Sequence, residues 1–77
     1  MNEKQATKIF HDYITKIYKE VEILSIKDKK ERFLFEFCEK GDDCPIDYPI
    51  ISVKKDSGKV DELSFINVYD RAIIFGE

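Results

Sequence analysis

The hydrophobic period of this chain changes once near its start, and that change marks the first element boundary. Ala6, Ile9, Phe10, Tyr13, Ile14 and Ile17 recur at helical spacing. At about 100° per residue they share one face. Lys4, Lys8, His11, Thr15 and Lys19 fall on the other side. Asn2, with Gln5 three residues later, forms an approximate capping box. The pattern predicts a helix over residues 2–19. From Val21 the chain becomes rich in β-formers: Val21 to Lys27 reads as a strand, and Lys27-Asp28-Lys29-Lys30 as a polar turn. Arg32 to Cys38 alternates more clearly. Phe33, Phe35 and Phe37 share one face and are expected to contact Phe10, Tyr13 and Ile17 of the helix.

Residues 39–47 form the longest loop, broken by Gly41 and Pro45. A third strand follows from Tyr48 to Lys54, with Pro49 at an edge or strand-entry position. Lys55-Asp56-Ser57-Gly58 is the strongest turn signal, because Gly58 can take the left-handed conformation such hairpins need. Lys59 to Phe65 is the fourth strand, with Leu63 and Phe65 inward. The last segment, from Ile66, admits a short helix capped by Asn67 or a fifth strand at Ala72–Phe75, and the helix is favoured. Residues 1–77 therefore read as a single α+β domain. An N-terminal helix packs on a four-stranded antiparallel meander sheet, and a short C-terminal helix or strand follows.

Size limits what such a domain can bury. A chain of 77 residues hides only about 60% of the surface its unfolded form exposes. Six Phe and four Tyr in a 43% hydrophobic composition can still build an efficient core. The net charge is −3, and it is unevenly distributed. Residues 1–30 carry seven Lys and five acids (+2), residues 31–49 two basic residues and six acids (−4), and residues 50–77 four basic residues and five acids (−1). With a pI near 5.2, a nucleic-acid partner is not expected. No apolar stretch approaches the roughly 20 residues of a membrane span, and no apolar signal region opens the chain. A cytoplasmic protein without a membrane partner is expected.

Few residues are placed to do chemistry. His11 is the only histidine and lies away from the apolar face of its helix, so no Ser–His–Asp or Cys–His arrangement is marked. Cys38 and Cys44 are separated by five intervening residues, not the two to four common in zinc sites. Two free thiols are expected in a reducing compartment. Asp42, Asp43 and Asp47 are the densest acidic group, but their spacing lacks the alternating ligands and terminal Glu of a calcium loop. Gly41, Gly58 and Gly76 are too dispersed for a phosphate loop. The expectation is a binding protein with no catalytic, metal or cofactor-binding residues. Its candidate partner-binding residues are Glu39, Asp42, Asp43, Asp47 and Tyr48, an acidic loop suited to a basic protein. The alternative is a structural or regulatory subunit that binds through a sheet edge.

One stretch carries a resemblance. Tyr48-Pro49-Ile50-Ile51-Ser52-Val53-Lys54-Lys55-Asp56-Ser57-Gly58-Lys59-Val60 resembles the hairpin of the small bacterial toxin-immunity family that includes YrhB. Pro49 to Val60 is its most specific part. The aromatic strand here lacks the family's Trp, and no Gly-Thr follows the hairpin. The resemblance implies a helix, aromatic strands and a loop before the hairpin, and a role in neutralising a toxin by direct binding. The same hairpin is similar to PepSY-type modules, which inhibit or chaperone peptidases. Neither family contributes catalytic residues.

Overall fold

The computed structural model describes residues 1–41, 48–64 and 66–75. Helix α1 (Glu3–Ile14) is followed by strands β1 (Val21–Asp28), β2 (Arg32–Glu39), β3 (Ile50–Lys54) and β4 (Val60–Leu63), then by helix α2 (Val68–Phe75). The strands pair antiparallel in the order β1-β2-β3-β4, a meander. This is the expected α+β architecture, and the last segment is helical.

The capping box at the start of α1 is complete. The Asn2 side chain accepts from the Gln5 backbone N–H at 2.8 Å, and the Gln5 side chain accepts from the Asn2 N–H at 3.0 Å. The helix stops at Ile14, five residues short of the expected end. Beyond it Lys16 N–H bonds to the Tyr13 carbonyl and Ile17 N–H to the Ile14 carbonyl, i→i+3 bonds that tighten and close the last turn. The Thr15 hydroxyl donates back to the His11 carbonyl at 2.8 Å, a bond that weakens helix continuation. Ile17 therefore leaves the apolar stripe and is half exposed. The expected contact between Ile17 and the Phe face does not form, and Tyr18 packs on Phe37 in its place.

The faces of the sheet follow from strand alternation. Phe33, Phe35 and Phe37 of β2, with Ile51 and Val53 of β3, meet Ala6, Phe10 and Ile14 of α1 in the main core. Ile9 and Tyr13 pack at its margin. Phe10 and Phe35 stack with ring centroids 4.7 Å apart and 8° between planes. Leu34, Ile50 and Leu63 point to the opposite face, where Ile74 of α2 covers them in a second, smaller core. The sheet thus lies between two helices. β3 begins at Ile50, not Tyr48, and β4 ends at Leu63. Phe65, expected inward, lies outside the described residues.

Turn chemistry positions the hairpins. Gly58 has φ +72°, and a Cβ there would lie 3.2 Å from Ile9 Cδ1, so glycine serves both the left-handed backbone and the close helix. On edge strand β1 the pairing register shifts between Ile23 and Ser25, which leaves Leu24 half exposed in a bulge.

Tyr13 adds a pH dependence to this packing. Burial first, then the carboxylates of Glu62 and Asp61 and the neighbouring Tyr18, raise its phenol above the ordinary 10.0. Ionisation therefore opposes folding. The stabilisation is complete below about pH 10 and is lost as pH rises through the folded value. Tyr13→Phe is expected to flatten the alkaline limb of a stability profile measured by urea unfolding. An unchanged limb would assign that loss to other groups.

Candidate interaction surface

β2 leaves the sheet at Glu39 and β3 enters it at Ile50, so the acidic connection departs from one end of the sheet. Pro49 favours an extended backbone at Tyr48. The Tyr48 ring sits 5.2 Å from Phe37 and 5.6 Å from Tyr18, and Tyr18 lies edge-on to Phe37 at 5.5 Å. Three rings thus brace this end of the main core. The Tyr48 hydroxyl donates to Glu39 Oε1 at 3.1 Å. The structure therefore brings Glu39 and Tyr48 together. Tyr48 is half-buried, its ring packed against Tyr18 and Phe37 and its hydroxyl on Glu39. Asp42, Asp43 and Asp47 lie outside the described residues, as does Cys44.

The other expectations about chemistry can also be placed. His11 is exposed, its ring 5.5 Å from Phe10. Cys38 is buried on β2. Among the described residues no group of three or more His, Cys, Asp or Glu side chains is placed to hold a metal ion. No helix among them is long and apolar enough to cross a membrane.

Two surfaces escaped the sequence reading. The first is the opposite end of the sheet. Pairing Arg32 with Lys54 brings the β1–β2 and β3–β4 turns side by side, and the Lys55 N–H bonds to the Glu31 carbonyl between them. Residues 27–32 and 54–59 hold seven cations and three carboxylates, a net +4. Lys30, Glu31, Lys54, Lys55 and Asp56 line an open depression there of about 380 Å³. Lys55 bonds to Asp28 and lies 4.7 Å over the Phe33 ring. A charge count along the chain splits these cations among three windows, whereas their strand register unites them. The second surface is apolar. Ile66, Val68, Tyr69 and Phe75 are all more exposed than buried, around α2. The signal was present in Val-Tyr-Asp-Arg-Ala-Ile-Ile-Phe, whose six apolar residues exceed what one buried face requires.

No protein-family model matches the chain, and no curated protein or solved structure matches it either.

Proposed function

We propose that this chain is a non-catalytic binding protein that takes a cationic protein partner at the β2–β3 end of the sheet. Glu39, Asp42, Asp43 and Asp47 supply the charge, and Tyr48 the support. The observation that carries this reading is the separation of charge in space. The two hairpin turns collect a net +4 at one end, and residues 39–49, which connect β2 to β3 at the other, carry −3. Such a field steers an oppositely charged partner to one end and repels it from the other. The bond from Tyr48 to Glu39 adds preorganisation, because a carboxylate already held needs less ordering on binding. The resemblance of the Pro49–Val60 hairpin suggests the partner class, a bacterial toxin domain that this chain would neutralise as an immunity protein. The edge-strand alternative has a candidate in the eight-residue β1, but the bulge at Leu24 interrupts the ladder a partner strand would follow.

The experiment is capture of the partner from the native host, followed by stopped-flow association at two salt concentrations. The Debye length shrinks from about 30 Å at 0.01 M to about 8 Å at 0.15 M. Association is expected to slow at least tenfold over that range. A captured partner whose association ignores salt would overturn the electrostatic reading.

A further inference from the structure

We propose that the outer face of α2 joins two copies of this chain in a two-fold dimer, a surface independent of the acidic end. The helix is apolar on both sides. Ile74 is buried and Ile73 packs beside it against Leu34, Ile50 and Leu63. Facing away, Val68, Tyr69, Ala72 and Phe75 are exposed, and Ile66 precedes them at 91% exposure. This surface is held in place. Asn67 caps the helix, its side chain accepting from the Tyr69 N–H at 2.8 Å and the Asp70 N–H at 3.2 Å. Asp70 in turn accepts from the Ser64 N–H at 3.0 Å, which ties the helix start to the end of β4.

Area and pattern select a second copy as the occupant. Two aromatic rings at about 150–250 Å² each, two-thirds or more exposed, together with Ile66 and Val68, present on the order of 500 Å² of apolar surface. Patches above a few hundred Å² mark interaction sites. Doubled across a two-fold axis, this one reaches about 1,000 Å², the lower bound for a specific but weak interface. The pattern is also self-complementary. Val68, Ala72 and Phe75 stand at i, i+4 and i+7 with the smallest residue in the middle. Two antiparallel helices crossing at Ala72 let their backbones approach there, and they set Phe75 of each copy against Val68 and Tyr69 of the other. An isologous contact requires this kind of reciprocity.

Sedimentation equilibrium from about 5 µM to about 1 mM tests the proposal, a range that spans the weak affinities expected of small interfaces. Wild type is expected to move from monomer to dimer mass. Ala72→Lys places like charges against each other at the axis and should weaken dimerisation at least tenfold, with an unchanged circular dichroism spectrum because Ala72 is exposed. In a Cys44→Ser background, Ala72→Cys should form a disulfide-linked dimer under mild oxidation, while Lys4→Cys should not. A monomer throughout the range overturns the dimer, and so does Ala72→Lys dimerising like wild type. Monomeric protein that co-sediments with phosphatidylcholine vesicles overturns it in favour of a lipid surface. Monomer that needs this face for the captured partner overturns it in favour of that partner.

Discussion

Phe35→Ala is expected to cost about 3–5 kcal/mol of folding stability, the usual range for truncating a fully buried phenylalanine. Phe35 is completely buried at the middle of β2. Its neighbours across the sheet are Ile26 on β1 and Ile51 on β3, and Phe10 stacks on it from α1. Both neighbouring strands are held by ladder hydrogen bonds, so the space left by the ring cannot close by moving β2. A domain of 77 residues is stabilised by about 0.05–0.15 kcal/mol per residue, or about 4–12 kcal/mol in all, so the variant is expected to lose a quarter or more of its stability. Urea unfolding followed by circular dichroism measures the loss. The offset stacking of Phe10 on Phe35 should add a coupling of about 0.5–1.5 kcal/mol in a double-mutant cycle, beyond the area each ring buries. A Phe35→Ala loss below about 1 kcal/mol would mean that this ring is not the centre of the core.

The elements were legible wherever local chemistry and burial agreed. Asn2 with Gln5, the alternating Phe33, Phe35 and Phe37, Gly58 in its turn and Asn67 before α2 each took the position that their side-chain chemistry predicts. The end of α1 was not legible, because Ile17 keeps the helical period while i→i+3 bonds and the Thr15 hydroxyl close the helix before it. The second core was hidden for a related reason. Leu34, Ile50 and Leu63 alternate with residues of the main core, so reading one face as buried leaves the other looking like solvent. Which side of α2 turns inward could not be read from a segment with apolar residues on both sides. The basic end of the sheet depends on pairing between residues more than twenty positions apart, which no window along the chain contains. Glu39 and Tyr48 were legible as neighbours of the acidic loop, but the Tyr48–Glu39 bond and its bed of rings depend on where Tyr18 and Phe37 come to rest.

Replacing Asp42, Asp43 and Asp47 together by Asn is expected to weaken binding to the captured partner at least tenfold while leaving the fold intact. The change removes three negative charges without altering side-chain size, and takes the formal net charge from −3 to zero. Loop substitutions outside packed or paired groups usually shift stability by about 0.5 kcal/mol or less each, and removing three like charges within six residues of sequence lowers mutual repulsion. The loss should appear chiefly in the association rate at low salt, because long-range attraction acts before contact and is screened by ions. At high salt the two proteins should converge. A matched control neutralises the other end: Lys30→Gln with Lys54→Gln removes two of the cations that repel the partner, and should leave association unchanged or slightly faster. If the triple variant binds as tightly and as fast as wild type, the acidic loop only solvates the domain and the partner docks elsewhere. If the lysine pair slows association instead, the partner is anionic and the basic turns are the working end of the sheet.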